Sequence, residues 1–505
     1  MYGVQGNVIS SDVIRRTIFD KIGQLRGNSL KAKSIRSMMV LGIGTATERG
    51  LKFVRYMILT RILAPGQIGL MAIVLVVATM FDAFTQVGVK QSVIQNKRGS
   101  ESDYLNVAWW FQVIRGMVLF VIAYLVSPWI SSFYHKPELL RLLQVAFLAL
   151  LFRGLVSPRA YVLEKQYKFG KVVFLVQGSG ILGALIAVVF AFILRSVWAL
   201  VIGFVAEYAI MCMISYIFVP IKPTFKINRE DLAELLRFAR GMFGLPILTV
   251  IALKMDVLVL GKVVSDAELG MYFLATALVQ LPVFLFGRVV NPVLLPAFSE
   301  KQDDKDSLCR VILKTTRATA IFGFPLTIFL ASCAKGILTL AYGQQYAAVA
   351  IPMAILSLLV LSQTQAQVFA SAYLAVGQPS LHRRFNVLRV LIIAVFIYPA
   401  VLYFQLLGAA VVVVMGYSIA LLMQVVWSRR LVDLKFGTYL RCYLPGLLLA
   451  LPIAAVIGLL RIAGIDAPIL VLGIELVVFA AMMAAGGLFL VRSEKGQVFS
   501  KVKGV

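Results

Sequence analysis

The chain is filled almost end to end by apolar stretches, each long enough to cross a bilayer, and several of them carry charged residues in mid-span. A crossing helix needs about 20 mostly apolar residues. A charge at its centre costs roughly 2.5–3.5 kcal/mol on insertion scales. Such residues persist where they face a protein-lined, water-accessible path rather than lipid. The pattern therefore predicts an all-α polytopic membrane protein with a polar interior, and transport is the function class it favours.

We read about fourteen spans, at 36–61, 67–89, 107–130, 139–161, 171–194, 198–220, 241–263, 268–296, 317–341, 347–376, 385–407, 408–428, 443–461 and 468–491. Composition agrees: 60% of the 505 residues are hydrophobic and 14% charged, where soluble domains hold about 25% charged residues. The formal net charge of +26 would suit a nucleic-acid partner. It is dispersed, however, through short loops between apolar runs, which is membrane topology rather than a basic face. Of the 49 Lys and Arg residues, the alternate loops hold only seven (Arg61, Lys136, Arg141, Arg195, Lys262, Lys335 and Arg461). The positive-inside rule then places both termini in the cytoplasm, and an even number of spans fits that result.

The expected organisation is a cytoplasmic N-terminal segment (1–35), six spans (36–220), a cytoplasmic loop acting as hinge (221–240), six further spans (241–428), two more (443–491) and a cytoplasmic tail (492–505). In the N-terminal segment Ile14, Ile18, Ile22 and Leu25 recur at helical spacing beside Arg15, Arg16 and Lys21, a surface-lying amphipathic pattern. Cys212, Cys309, Cys333 and Cys442 are scattered, and His135 and His382 have no ligand spacing, so neither a disulfide framework nor a metal site is expected. There is no GxxxxGK[ST] phosphate loop, no HExxH and no GxSxG, and no cofactor or enzymatic activity is expected. Asp304-Lys-Asp306 has the DxD form of some glycosyltransferases but reads better as a solvated patch.

The two sets of six spans resemble each other. Arg61-Ile-Leu-Ala-Pro-Gly-Gln-Ile-Gly-Leu-Met71 aligns with Lys262-Val-Val-Ser-Asp-Ala-Glu-Leu-Gly-Met-Tyr272, each on the turn between the first and second span of its set. Ala160-Tyr-Val-Leu163 aligns with Ala372-Tyr-Leu-Ala375. Both matches preserve span order, so this is a parallel repeat of two six-helix bundles. Rocking transporters with such a plan place their site between the halves.

The first span holds Glu48-Arg49-Gly-Leu-Lys52-Phe-Val-Arg55. Positions 48, 52 and 55 share one helical face, which must line an interior. Arg presents a bidentate fork and Lys a point charge to phosphate oxygens. Arg49, Lys52 and Arg55, helped by Arg115, Arg153 and Arg288, are thus candidates for an anionic substrate; structural ion pairing is the alternative for each. Asp82 and Glu207 are possible partners for Arg115 and Arg153. Lys254 and Asp256 lie two residues apart on the seventh span, so one at most should face the interior; the repeat aligns Asp256 with Arg55. Asp256, with Glu48, Asp82 and Glu207, is a candidate for proton or sodium coupling. Glu475 is expected to be structural. Prolines cluster in the second set of spans (Pro246, Pro282, Pro292, Pro325, Pro352, Pro399), which suits bending helices.

Through the Leu59-Thr-Arg-Ile-Leu-Ala-Pro-Gly-Gln-Ile-Gly-Leu70 segment, its second copy ending Glu268-Leu-Gly-Met-Tyr272 and the layout of spans, the chain resembles the polysaccharide flippases of the multidrug/oligosaccharidyl-lipid/polysaccharide exporter superfamily. The resemblance covers about residues 35–430. It implies translocation of undecaprenyl-pyrophosphate-linked oligosaccharide repeat units across the bacterial inner membrane, for exopolysaccharide or O-antigen synthesis, with a polysaccharide polymerase and export machinery as possible partners. A peptidoglycan-precursor (lipid II) flippase and a drug/cation antiporter of the same superfamily are the alternatives; the antiporter calls for an anionic cavity. Outside transport, a scaffold of a polysaccharide-assembly complex needs no cavity at all.

Overall fold

The computed structural model describes residues 30–85, 88–166, 168–225, 228–242, 245–464 and 467–502, and all their regular structure is helical. The amphipathic stretch around Ile14, Ile18, Ile22 and Leu25 lies outside them. The principal helices are α1 (Leu30–Ile62), α2 (Pro65–Thr85), α3 (Ser102–Tyr134), α4 (Leu148–Leu155), α5 (Ser179–Leu194), α6 (Trp198–Phe218), α7 (Leu245–Val263), α8 (Asp266–Val289), α9 (Lys305–Ser332), α10 (Leu358–Ala375), α11 (Pro379–Val432), α12 (Leu444–Ile462) and α13 (Pro468–Val502).

Large apolar side chains point outward along these helices: Ile217 is 74% exposed and Tyr403 81%. Meanwhile Gln112, Gln365, Asp256 and Glu475 are buried. That inversion of the soluble pattern is what a lipid-facing exterior requires. Among the described residues, nine helices are long and apolar enough to cross a membrane, or up to eleven if each bent pair is one span. Fourteen is therefore not reached on length and composition alone. The expected number adds α1 and α7, whose charges lower their hydropathy, and divides α11. The division has a local cause: Gln405 has φ 47° and ψ −126°, and a Cβ on Gly408 would fall 2.0 Å from the Ala400 carbonyl oxygen. The chain folds back there, with Gly416 against Ile393, so α11 is a hairpin of two arms.

Helices of residues 30–218 pack on one another and those of 245–432 likewise, and the two groups meet chiefly where α2 packs on α8 and α7. α12 and α13 lie against α9. The expected hinge loop contains the helix Arg229–Met242, whose buried Asp231 accepts Arg98 Nη1 at 2.9 Å. It is thereby fastened to the N-terminal half. The repeat-equivalent helices α2 and α8 begin by different devices. α2 has Pro65 as its first residue, where a missing N–H is harmless. α8 has a capping box in which Ser265 and Glu268 satisfy each other's backbone N–H.

Candidate functional site

Between the two groups of helices lies a cavity of about 780 Å³, walled by α1, α2, α6, α7, α8 and α10. It runs from Met71, Leu200 and Tyr342, near the end of the molecule that carries the turns at 63–64, 135–137 and 264–265 (the distal end), to Arg288 in the last turn of α8. Its charged lining is Arg49, Lys52, Arg55, Lys254 and Arg288 against Glu207 and Asp256. Cations predominate.

They fall into two kinds. Lys52 Nζ sits 2.9 Å from Glu48 Oε1 and 3.1 Å from Glu207 Oε1, so two carboxylates hold it. This cluster needs room: a Cβ on Gly180 would lie 3.3 Å from Glu207 Oε1 and 3.5 Å from Glu48 Oε1. A single wider π turn, Phe174–Gly178, precedes Gly180, and from it Gln177 Nε2 donates to Thr45 Oγ1 at 3.0 Å, tying α5's approach to α1. By contrast, among the described residues no carboxylate lies within 4.0 Å of Arg49, Arg55, Lys254 or Arg288. These cations rest on rings instead. Arg49 stands 4.0 Å from the centroid of Phe284, a ring that Arg288 approaches at 5.5 Å. Arg55 lies 4.6 Å from that of Tyr56 and its Nε is buried without a partner, and Lys254 lies 5.9 Å from that of Phe273. A ring face stabilises a cation while leaving its N–H donors free for a ligand.

The structure brings Arg49, Lys52, Arg55 and Arg288 to one cavity but not Arg115 and Arg153, which are absent from its lining. Arg153 is ion-paired with Asp82 and lies behind Tyr208, whose ring centroid is 5.8 Å away. Arg115 lies 5.8 Å from the Phe111 ring, with Nε and Nη1 buried and unpartnered among the described residues. Lys254 and Asp256 both line the cavity, which corrects the expectation that one at most would. Two residues span about 200° of a helix, and α7 is flanked by cavity on a wide arc, so both side chains reach it. Asp256 is 5% exposed and accepts from the Val257 N–H at 2.8 Å and from Tyr272 Oη–H at 3.2 Å. Glu475 is wholly buried between α9 and α13 and accepts from Ser332 Oγ–H at 2.9 Å. The sequence reading missed the ring supports, although Phe284 and Arg288 at i, i+4 on one helix was a legible signal.

The distal end is shut by both halves at once. A Cβ on Gly69 would fall 1.9 Å from the Asp266 carbonyl oxygen, and one on Gly270 would fall 2.1 Å from that of Pro65. These are the aligned positions of the repeat, so the halves touch backbone to backbone about a local two-fold axis. Around that contact Lys136 is paired with Asp266 and donates to the Gly261 carbonyl at 2.9 Å. Lys262 donates to His135 Nδ1 at 2.6 Å, Tyr134 to the Leu258 carbonyl at 3.2 Å, and Arg61 to that of Leu340 at 3.1 Å.

Comparison with known proteins places this geometry. Residues 58–351 match a family described as polysaccharide biosynthesis protein. The lipopolysaccharide biosynthesis protein WzxC of Escherichia coli is 23% identical over 402 residues, 79% of this chain and 81% of that one. The succinoglycan biosynthesis transport protein ExoT of Rhizobium meliloti is 24% identical over 59% of this chain and 60% of its own length. Among solved structures, the lipid II flippase MurJ in an inward closed conformation superposes with a TM-score of 0.73 at 14% identity, over 90% of this chain and 99% of that one. An inward-facing MATE-family multidrug transporter of the MOP superfamily gives 0.60 at 15% identity, over 76% and 94%. These two likenesses establish the fold.

Proposed function

Because the chain belongs to the polysaccharide biosynthesis protein family, we propose that it is a flippase for polyprenyl-pyrophosphate-linked oligosaccharide repeat units, working by alternating access. One observation carries the reading: three cavity cations, Arg49, Arg55 and Arg288, stand on aromatic rings with no carboxylate partner among the described residues. Such a wall suits a diphosphate, whose oxygens take up the free donors of Arg49, Arg55 and Arg288. Lys52, already held by Glu48 and Glu207, keeps the wall in shape. A cationic drug would meet net repulsion in the same cavity, so the antiporter reading is disfavoured.

In this scheme two lobes, 36–220 and 241–428, rock about the distal contact. Substrate enters from the cytoplasmic face, where both termini lie, and the inner membrane is the site of action. The closed distal end then parts to release the diphosphate head to the other leaflet. Asp256, buried on the cavity wall and hydrogen-bonded to Tyr272, is the group we assign to ion coupling. The test is flipping of a fluorescent polyprenyl-pyrophosphate oligosaccharide in proteoliposomes. Transport by the wild type, and its loss in a folded Arg49→Gln/Arg288→Gln variant, supports the reading. Export of a cationic drug without flipping refutes it.

A further inference from the structure

A second, smaller cavity of about 240 Å³ lies within the C-terminal half, between α10 and the two arms of α11. It adjoins the main cavity, since Leu253, Gln363 and Gln367 line both. Its lining includes a cation, Arg389, and no carboxylate. Arg389 stacks 4.3 Å from the Tyr417 ring centroid, and its Nε is buried without a partner among the described residues. His382 Nε2 lies 3.0 Å from Asn386 Nδ2; with the amide nitrogen donating, the neutral ring carries its proton on Nδ1. Among the described residues that Nδ1 is also buried and unpartnered, as are Gln363 Nε2 and Gln424 Oε1. Gln363 is 6% exposed and Gln424 4%.

The side chains that line this one small space thus carry, among the described residues, three unmet donors and one unmet acceptor. Unmet buried polar groups are uncommon in a folded protein, and each is costly. Water supplies donors as readily as acceptors, whereas this set is donor-rich and holds a fixed positive charge. The matching ligand is acceptor-rich and anionic, with at least one hydroxyl to donate to Gln424. The volume is below the roughly 300–1,000 Å³ of sites for drug-sized ligands, so a single ring fits and an oligosaccharide does not.

We propose that this pocket is a specificity subsite for an acidic sugar, binding the carboxylate of a uronic-acid residue through Arg389, His382 and Gln363 while the diphosphate occupies the main cavity. That the sugar arrives as part of a lipid-linked oligosaccharide rests on the flippase reading; the anion site itself does not.

The test uses the full chain in proteoliposomes with two polyprenyl-pyrophosphate oligosaccharides that differ only in carrying glucuronate or glucose at one position. Wild type flips the glucuronate form faster by about ten- to a hundredfold, the worth of a charge-assisted hydrogen bond. In Arg389→Gln and in Gln424→Glu, which neutralises the pocket from within, the preference falls to near unity. A second readout is thermal stability in detergent with free methyl glucuronide, methyl glucoside or inorganic phosphate. The glucuronide alone stabilises wild type, and Arg389→Gln abolishes the shift. Equal rates for the two lipids, equal loss of both in Arg389→Gln, or equal stabilisation by phosphate overturns the subsite. Stabilisation by glucuronide without flipping of either lipid upholds the subsite and refutes the flippase reading.

Discussion

The two ends of the interface between the halves treat charge in opposite ways. At the distal end every charged group described above has a partner from the other half: Lys136 with Asp266, Lys262 with His135, Arg61 with the Leu340 carbonyl. Deeper in, Arg49, Arg55 and Arg288 line the cavity with aromatic rings beside them and no carboxylate within 4.0 Å among the described residues. Paired charges close a structure; unpaired ones wait for something to pair with. The difference separates latch residues from ligand residues more sharply than intramembrane location does.

The strongest way to break this contrast is to wedge the closed end. Gly69→Val puts side-chain atoms where the Asp266 carbonyl now stands. Overpacking of this kind costs roughly 1–3 kcal/mol, and the whole cost falls on the closed state. A shift of that size moves a two-state population by up to about a hundredfold. Spin labels placed across the distal end should report longer distances, and flipping should fall in proportion. Unchanged distances would mean that the glycine contact does not hold the end shut.

The next effect separates the two kinds of cavity cation. Arg49→Gln and Arg288→Gln remove donors that have no carboxylate partner, so each should slow flipping by about tenfold with thermal stability unaltered. Lys52→Ala instead leaves Glu48 and Glu207 facing one another uncompensated and should lower stability by about 1–3 kcal/mol. Gly180→Leu should mimic Lys52→Ala by crowding the same three groups. If Lys52→Ala proves as stable as wild type and only slows transport, Lys52 belongs with the substrate contacts.

Smaller again is the Lys136–Asp266 pair, whose side chains are 18% and 31% exposed. A partly exposed pair contributes about 1 kcal/mol or less. Either single reversal should therefore loosen the distal end modestly, and the double reversal, Lys136→Asp with Asp266→Lys, should restore it. Failure of the swap would show that the glycine contact alone sets the geometry.

Much of this fold was legible because bilayer length and helical periodicity are coarse rules that a sequence obeys openly. The aligned Gly69 and Gly270 also marked a true junction, although what they do, meeting backbone to backbone, follows only from the folded arrangement. Charges were harder. Periodicity placed Lys52 beside Glu48, but Glu207 is 155 residues away, and no local pattern could show that it completes the pair. For the same reason no local pattern showed that Arg115 and Arg153, single arginines in their spans, lie off the cavity that Arg49 lines; packing decides which wall each one faces. The donor-rich pocket around Arg389 went unread because amides and a histidine at the end of an apolar span look like an ordinary boundary.

The smallest effect lies away from the interface and tests the plainest reading of the Asp304-Lys-Asp306 patch. Asp304 is the N-cap of α9: the Ser307 N–H donates to Oδ1 at 3.0 Å and the Ser307 hydroxyl to Oδ2 at 2.5 Å. The hydrogen bonds from Ser307 hold its carboxyl below the usual 3.8. A depressed carboxylate pKa contributes stability above the unfolded-state value and loses it as pH falls through the folded one. The cap should thus be intact at neutral pH and fail only below about pH 4. Protection of the Ser307 amide against hydrogen exchange, taken relative to the intrinsic rate at the same pH, should fall on acidification in wild type. In Asp304→Asn, whose amide oxygen caps without titrating, protection should show no such extra step. A cation-binding DxD would behave differently, with exchange at Ser307 slowed by added manganese at neutral pH; absence of that slowing leaves the pair as a helix cap.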